Sequence, residues 1–205
     1  GNDPGGNAKQ LLNSVDLQIG KLTAMGTTLN DVRVQLQRNA AAWALSLDSA
    51  LAKGTATLPD AKSAPIGVNM LYVRLPASDP TATVVENAPD PLADIDPHNI
   101  PALDVKISQL FQGDQLLGAW ALKTRPTPAG MRMSDMSLGL KGILLEGDAT
   151  WEGTPGASSS SFKGRLAGKN LADVLKAWSF APTVTSERFE MNVDGRWPGS
   201  PAWVG

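Results

Sequence analysis

The stretch LDVKISQLFQGDQLLGAWALKT, residues 103–124, has the pattern of a β-hairpin. Apolar Leu103, Val105 and Ile107 alternate with polar residues, and successive side chains on a strand point to opposite faces. Gly113 begins a polar turn, after which a second apolar strand returns. The stretch therefore predicts two antiparallel strands with one polar and one apolar face, and the apolar face needs a cover.

The same alternation recurs along the chain, in runs bounded by Gly, Asn, Pro or small polar residues. The predicted strands cover residues 14–24, 28–38, 42–49, 51–59, 67–76, 102–111, 116–125, 129–139, 142–152, 159–168 and 184–197. Their spacing predicts a hairpin meander. The fold class is therefore mainly β.

A Pro- and Asp-rich segment interrupts the strands at residues 77–101 and is predicted to be a long ordered or semi-ordered loop. It separates a first β-unit at 14–76 from a second at 102–205. Residues 1–13 are predicted to be a flexible N-terminal segment or a remnant of cloning. Because RWPGSPAWVG ends as another strand begins, we expect the chain to be a fragment of a larger protein.

The two units echo each other. Sliding the chain by 88 positions places Val15 over Leu103 and Trp43 over Met131. Either a unit of a few strands is repeated, or two strand-rich stretches alternate alike by chance.

One helix is predicted near residues 170–178, in GKNLADVLKAW. Leu171, Val174, Leu175 and Trp178 recur at helical spacing on one side, and Asn170 is in position to cap the first turn. A helix of two to three turns needs to dock on the sheet for stability. It would either close the end of a core or lie across an open groove.

Composition excludes several classes of protein. A net charge of −2 without a basic stripe argues against nucleic-acid binding, which requires clustered Lys and Arg. The absence of cysteine excludes disulfides and thiolate metal sites. No apolar run approaches the roughly 18 residues that a membrane-spanning helix needs.

Catalytic and metal-binding patterns are also lacking. His98 is the only histidine and is predicted to be a solvated loop residue. Asp90, Asp94 and Asp96 do not have the spacing of a calcium-binding loop. GRLAGKN departs from the phosphate-binding loop in its glycine spacing and in the Asn that follows its Lys, and GASSSS is typical of a turn that enters a strand. The sequence therefore predicts a protein that is not an enzyme and has no metal or cofactor.

Four phrases carry a resemblance to a known family. The C-terminal part of AsmA-like proteins is similar to IPALDVKISQLFQGDQLLGAWALKT, GMRMSDMSLGLKGILLEGDATWEG, SFKGRLAGKNLADVLKAWSF and MNVDGRWPGSPAW. The likeness covers about residues 100–205, and over residues 15–76 it rests on the strand pattern alone. It implies an antiparallel meander curved into an elongated groove, in a protein that is anchored in the inner membrane and crosses the periplasm of a Gram-negative bacterium. Such proteins are implicated in moving phospholipid toward the outer membrane.

If the sheet forms a groove, phospholipid acyl chains can cover its apolar face while the head group stays in water. The expected partners are these acyl chains, neighbouring segments of the full-length protein, and membranes through its other parts. The predicted lipid-facing residues, for each of which plain core packing is the alternative, are Val105, Ile107, Trp120, Leu122, Met131, Met133, Phe162, Leu166, Phe189, Met191 and Val193.

Two other functions are compatible with the pattern. The groove could receive strands of outer-membrane proteins, which would make the chain a structural or assembly module that pairs along a strand edge. A carbohydrate-binding β-sandwich would need exposed aromatic platforms, whereas most of the Trp residues have apolar neighbours.

Overall fold

The computed structural model of the chain describes residues 13–24, 27–77, 89–177, 181 and 186–202. Within these residues the chain forms one eleven-stranded sheet, in which the strands lie side by side in chain order. The strands are β1 (Ser14–Ala24), β2 (Thr27–Asn39), β3 (Ala42–Asp48), β4 (Ala52–Pro59), β5 (Ile66–Leu75), β6 (Leu103–Gln112), β7 (Gln115–Thr127), β8 (Gly130–Leu140), β9 (Ile143–Thr154), β10 (Ala157–Lys169) and β11 (Arg188–Pro198), and the helix is α1 (Leu171–Ala177). The prediction of a mainly β meander with one short helix is confirmed.

One pairing was not predicted. β5 and β6 run parallel, with Ile66 opposite Leu103 and Val73 opposite Leu110. Parallel neighbours need a connection that returns the chain from one end of the sheet to the other. The strands β1 to β5 alternate in direction, so that β5, the fifth strand, runs in the same direction as β1. Because β6 is parallel to β5, it also runs in the direction of β1. Alternating polarity carries no strand direction, so the sequence predicted the strands but not this pairing.

The strand order agrees with the echo in the sequence. Trp43 and Met131 are each the second residue of their strands, β3 and β8, and Val15 and Leu103 lie at the starts of β1 and β6. We call β1 to β5 the N-terminal block and β6 to β11 the C-terminal block. The predicted domain boundaries stay a prediction, since residues 1–12 and 78–88 lie outside the described residues.

Cross-strand registers define one apolar face, because directly opposed residues lie on the same side of a sheet. One row of opposed or same-side residues runs from β1 to β7 and a second from β7 to β11. These rows are Val15, Leu36, Leu45, Ala56, Val68, Val105 and Leu122, and Trp120, Leu138, Leu145, Leu166 and Met191. All eleven strands therefore contribute to a single apolar face.

The opposite face is polar and carries cross-strand ion pairs. Arg165 on β10 contacts Glu146 on β9 at 2.6 Å and Glu190 on β11 at 3.4 Å. Arg125 similarly contacts Asp104 at 2.6 Å between β7 and β6. These side chains are partly exposed, so this face is hydrated and needs no second layer of protein.

Residues 89–101, which we call the strap, cover part of the apolar face in the C-terminal block. Leu92 and Ile100 pack against a cluster of buried residues, and Pro97 is itself buried. The cluster consists of Met131, Met133, Met136, Leu138, Ala149, Trp151 and Phe162. The strap lies at the lower edge of the sheet, by which we mean the edge where β3 and β8 begin. The segment that was predicted to be a loop thus contributes a few side chains to the core.

The helix α1 lies at the opposite, upper edge and begins one residue later than predicted. The backbone oxygen of Asn170 accepts from Asp173 N at 3.1 Å and from Val174 N at 3.2 Å, so Asn170 does begin the helix. Its side-chain amide, however, donates to Asp173 Oδ2 at 2.6 Å instead of capping a backbone N–H as predicted. Trp178 lies outside the described residues.

Candidate functional site

The structure places all of the predicted lipid-facing residues on the apolar face. Val105 is opposite Leu122, Ile107 is opposite Trp120, and Leu166 is opposite Met191. The remaining members, which alternate in step with these or oppose them across a strand pair, are Met131, Met133, Phe162, Phe189 and Val193.

Burial differs among these residues. Met131, Met133 and Phe162 are buried in the cluster beneath the strap, and most of the others are half-buried. Met191, on the edge strand β11, is 54% exposed. Core packing therefore explains the three buried residues, and the most exposed predicted residue lies away from the strap.

The N-terminal block supplies accessible apolar surface that the sequence-based prediction left out. Val15 is 40% exposed and Leu17 is 48% exposed, and both lie on the apolar face of β1. Among the described side chains of β1 to β5, Val32 is the only buried hydrophobic one. The signal for these residues was the same alternation that identified the C-terminal ones.

A cavity lies between α1 and the upper edge of the sheet. We call it the helix pocket, and its volume is about 470 Å³. Its lining is entirely apolar and consists of Ile143, Leu166, Leu171, Val174, Leu175, Phe189 and Met191. Three predicted lipid-facing residues, Leu166, Phe189 and Met191, are thus brought together with one side of the helix.

Hydrogen bonds hold the strap at the lower edge. Asp90 Oδ2 accepts from Ser200 N at 2.7 Å, and Asp90 Oδ1 accepts from Ser200 Oγ at 2.6 Å. Gly156 N donates to Ala93 O at 2.8 Å, and Thr124 Oγ1 donates to Pro101 O at 2.8 Å. The strap is therefore attached to strands on both sides of the buried cluster.

The ionisation of Asp90 reflects this attachment. Burial raises the pKa of Asp90, but the hydrogen bonds from Ser200 and Leu92 outweigh it, so the net pKa lies below its ordinary value. Sequence reasoning had considered Asp90 only as a calcium ligand. No motif marks a carboxylate whose partner, Ser200, lies 110 residues away.

The polar groups near the strap form no metal site. His98 is exposed, and its Nδ1 lies 2.8 Å from Asp96 Oδ1. The backbone N–H of His98 is the main cause of the lowered pKa of Asp96. Across the described residues, no group of three or more His, Asp or Glu side chains could hold a metal ion. Within the same ranges, none of the helices has the length and hydrophobicity to cross a membrane.

Comparison with known families identifies the family of the chain. The model of the YhdP protein family matches residues 3–204. The chain belongs to the YhdP family. This family is found in the bacterial envelope and consists of transport or structural proteins, not enzymes. AsmA-like proteins, which the C-terminal phrases resemble, are implicated in envelope lipid transport.

The family match includes the N-terminal block, where the resemblance rested on strand pattern alone. No curated protein sequence and no solved structure gives a significant match.

Proposed function

We propose that the chain is a segment of an intermembrane lipid-transfer protein. Its apolar face shields the acyl chains of phospholipids in the periplasm of a Gram-negative bacterium, between an inner membrane that anchors the full-length protein and the outer membrane. The observation that carries the proposal is the single apolar face, to which all eleven strands contribute. Sheets normally bury such a face under a second layer, and among the described elements only the strap and α1 cover it.

Hydrocarbon suits this surface energetically. Burying a methylene contributes about 0.8 kcal/mol, so an acyl chain of roughly sixteen carbons gains on the order of 10 kcal/mol on the apolar face. This gain is similar to the free energy that the acyl chain loses on leaving a bilayer. The free-energy change of transfer is therefore close to zero. The attraction is non-directional and spread over many side chains, so a lipid can slide along the face.

The proposal includes curvature of the sheet into an elongated groove, and two glycines support it. Gly147 on β9 and Gly164 on β10 are directly opposed on the apolar face. A Cβ atom on Gly164 would clash with the backbone oxygen of Glu146 and would lie 2.6 Å from Phe162 Cζ. Glycine at such a close approach of strands commonly marks a bend.

The two outermost strands of the sheet, β1 and β11, indicate a second type of partner. In the described part of the chain, β1 and β11 each have a strand on one side only. Exposed edges can pair with other strands. Neighbouring segments of the full-length protein would cover them and lengthen the apolar face. The same edges are what the alternative, an assembly module for outer-membrane proteins, would use.

Native mass spectrometry of the protein purified from bacterial membranes tests the function. We expect bound phospholipid, and we expect Leu17→Asp to reduce it, because the substitution places a charge on the exposed apolar face. Gln18→Asp is the matched control, since Gln18 lies next to Leu17 on the polar face of β1. Circular dichroism verifies that both variants fold.

The alternative predicts a different result. Co-purification of an outer-membrane barrel protein without phospholipid, and insensitivity of that complex to Leu17→Asp, would replace the lipid-transfer proposal with the assembly role. Equal lipid loss in Leu17→Asp and Gln18→Asp would show that the apolar face is not the binding surface.

A further inference from the structure

The helix α1 contacts the turn between β8 and β9, and the helix pocket lies between α1 and the sheet. Among the described side chains of the helix, Ala172 and Val174 are buried. Val174 Cγ2 lies 3.4 Å from the position that a Cβ atom on Gly142 would take, in the turn between β8 and β9. The helix is thus in contact with this turn, and the space lined by Leu175 and Met191 remains unfilled.

The pocket has the size of a ligand site but lacks the polar groups of an ordinary one. Its volume of about 470 Å³ falls within the range of roughly 300–1,000 Å³ that is typical of small-molecule sites. Such sites usually include a few polar groups that orient the ligand, whereas every residue lining this pocket is apolar. A ligand group with hydrogen-bonding atoms would lose its partners there. The part of a ligand that this pocket encloses is therefore hydrocarbon.

The pocket opens onto the apolar face. Met191 lines it and is 54% exposed, and Leu166, directly opposite Met191, belongs to the row that continues across the sheet. Hydrocarbon that leaves the pocket therefore meets apolar side chains, not the charged residues of the polar face. The charged helix residues, Asp173 and Lys176, are exposed and are not part of the lining.

We propose that the helix pocket binds the methyl end of one phospholipid acyl chain. The rest of that chain extends along the apolar face, and its head group remains in water. The pocket is the point where a sliding lipid pauses, and its capacity sets how much of the chain is enclosed. This inference rests on the lipid-transfer function proposed above and adds a defined site to it.

The absence of cysteine allows a single reporter to be placed without background labelling. A bimane label on Met191→Cys reports the pocket, one on Leu17→Cys reports the N-terminal block, and one on Leu144→Cys, on the polar face, is the control. The probes are monoacyl phosphatidylcholines that carry bromine, a contact quencher, either at the chain terminus or next to the glycerol. We expect terminal bromine to quench the Met191→Cys label several-fold more strongly than glycerol-proximal bromine does.

Two further measurements define the pocket. With unbrominated probes of increasing chain length in competition, affinity at Met191→Cys should rise about fourfold per methylene until the pocket is filled and then level off. Leu175→Trp places an indole ring in the pocket and should weaken binding at this reporter at least tenfold, with the Leu17→Cys signal unchanged. Lys176→Trp adds the same ring on the exposed side of the helix, outside the lining, and should bind normally.

The outcomes separate this inference from the function on which it rests. Equal quenching of Met191→Cys by the two brominated isomers overturns the pocket, and so does normal binding by a folded Leu175→Trp, even if Leu17→Cys reports lipid. If neither reporter is quenched more than Leu144→Cys, the lipid-transfer function itself is wrong. Should Leu175→Trp fail to fold, the contrast between the two brominated isomers still decides.

Discussion

The two blocks of the sheet share a strand pattern and an apolar face but differ in what covers that face. In the C-terminal block the strap lies over Met131 and Trp151 at the lower edge. At the corresponding place in the N-terminal block, Arg38 lies over the ring of Trp43 at 5.4 Å and makes two hydrogen bonds of 2.6 Å to Asp60. The C-terminal block covers its lower edge with apolar side chains of the strap, whereas the N-terminal block covers its lower edge with a partly exposed ion pair.

This difference shows that cover, more than composition, decides whether an apolar face is buried or stays accessible. The apolar residues of both blocks obey the same alternation. Those beneath the strap are buried, whereas Val15 and Leu17 remain substantially exposed. The N-terminal block is therefore the better candidate for holding lipid along its length, and the C-terminal block for a defined site such as the helix pocket.

The largest expected effect comes from truncating matched residues near the two lower edges. Trp151, opposite Met131, is 2% exposed, and Leu58, opposite Trp43, is 38% exposed. We expect Trp151→Ala to lower the free energy of unfolding by about 3–5 kcal/mol, because it opens a cavity beneath the strap, and Leu58→Ala by about 1 kcal/mol or less. Urea denaturation measures both. Similar losses would mean that the N-terminal block is as well covered as the C-terminal one.

A somewhat smaller effect is expected from adding a methyl group to matched strand glycines. Gly164→Ala would force the backbones of β9 and β10 apart, which we expect to cost about 1–3 kcal/mol of unfolding free energy. Gly67→Ala, in β5, meets only Thr57 Cβ at 3.8 Å and should be neutral or slightly stabilising. Thermal denaturation measures both variants, and a greater loss of stability in Gly67→Ala than in Gly164→Ala would contradict the predicted clash at Gly164.

The sequence predicted what depends on alternation. The strands and the membership of Phe189, Met191 and Val193 in one face follow from a period of two, and the hairpin turn at Gly113 follows from its glycine and polar residues. The predicted lipid-facing residues share a face for the same reason. The packing of the strap on the sheet could not be predicted, because Leu92 and Ile100 are isolated apolar residues that follow no periodic pattern.

Long-range pairings were likewise absent from the sequence pattern. The contact between Asp90 and Ser200 depends on where the chain returns after β11, and no local signal encodes that position. The parallel pairing of β5 with β6 could have been inferred from a repeat of an odd number of strands, but only if the repeat were already established. The helix pocket depends on where α1 packs against the sheet, which helical periodicity does not specify.

The next largest loss of stability is expected when Asp90, which attaches the strap to Ser200, is removed. We expect Asp90→Ala to lower the free energy of unfolding by about 1–2 kcal/mol, because Ser200, which is fully buried, loses a charged acceptor. Asp94→Ala is the control in the same segment, since Asp94 is exposed. Hydrophobic-dye binding should rise for Asp90→Ala as the strap loosens over the apolar face, and an unchanged signal would show that other contacts hold it.

The pH dependence of this variant follows from the lowered pKa of Asp90. A carboxyl group with a depressed pKa in the folded state contributes stability above its unfolded value, near 3.8, and loses it as the pH falls through the folded value. The difference in stability between the wild type and Asp90→Ala should therefore be full at neutral pH and shrink below about pH 4. A constant difference across this range would mean that charge plays no part in anchoring the strap.

The smallest effect is expected at the lower edge of the N-terminal block. The hydrogen bonds from Arg38 lower the pKa of Asp60, but both side chains are exposed, and such pairs contribute little because water and salt screen them. Asp60→Asn should shift the urea midpoint slightly, and the shift should fade in high salt and at a pH below the folded pKa of Asp60. Asp194→Asn, which removes the more exposed and longer contact with Lys163, should give no shift. If Asp60→Asn were as costly as Asp90→Ala, the ion pair would close its edge as firmly as the strap does, and the contrast between the two blocks would disappear.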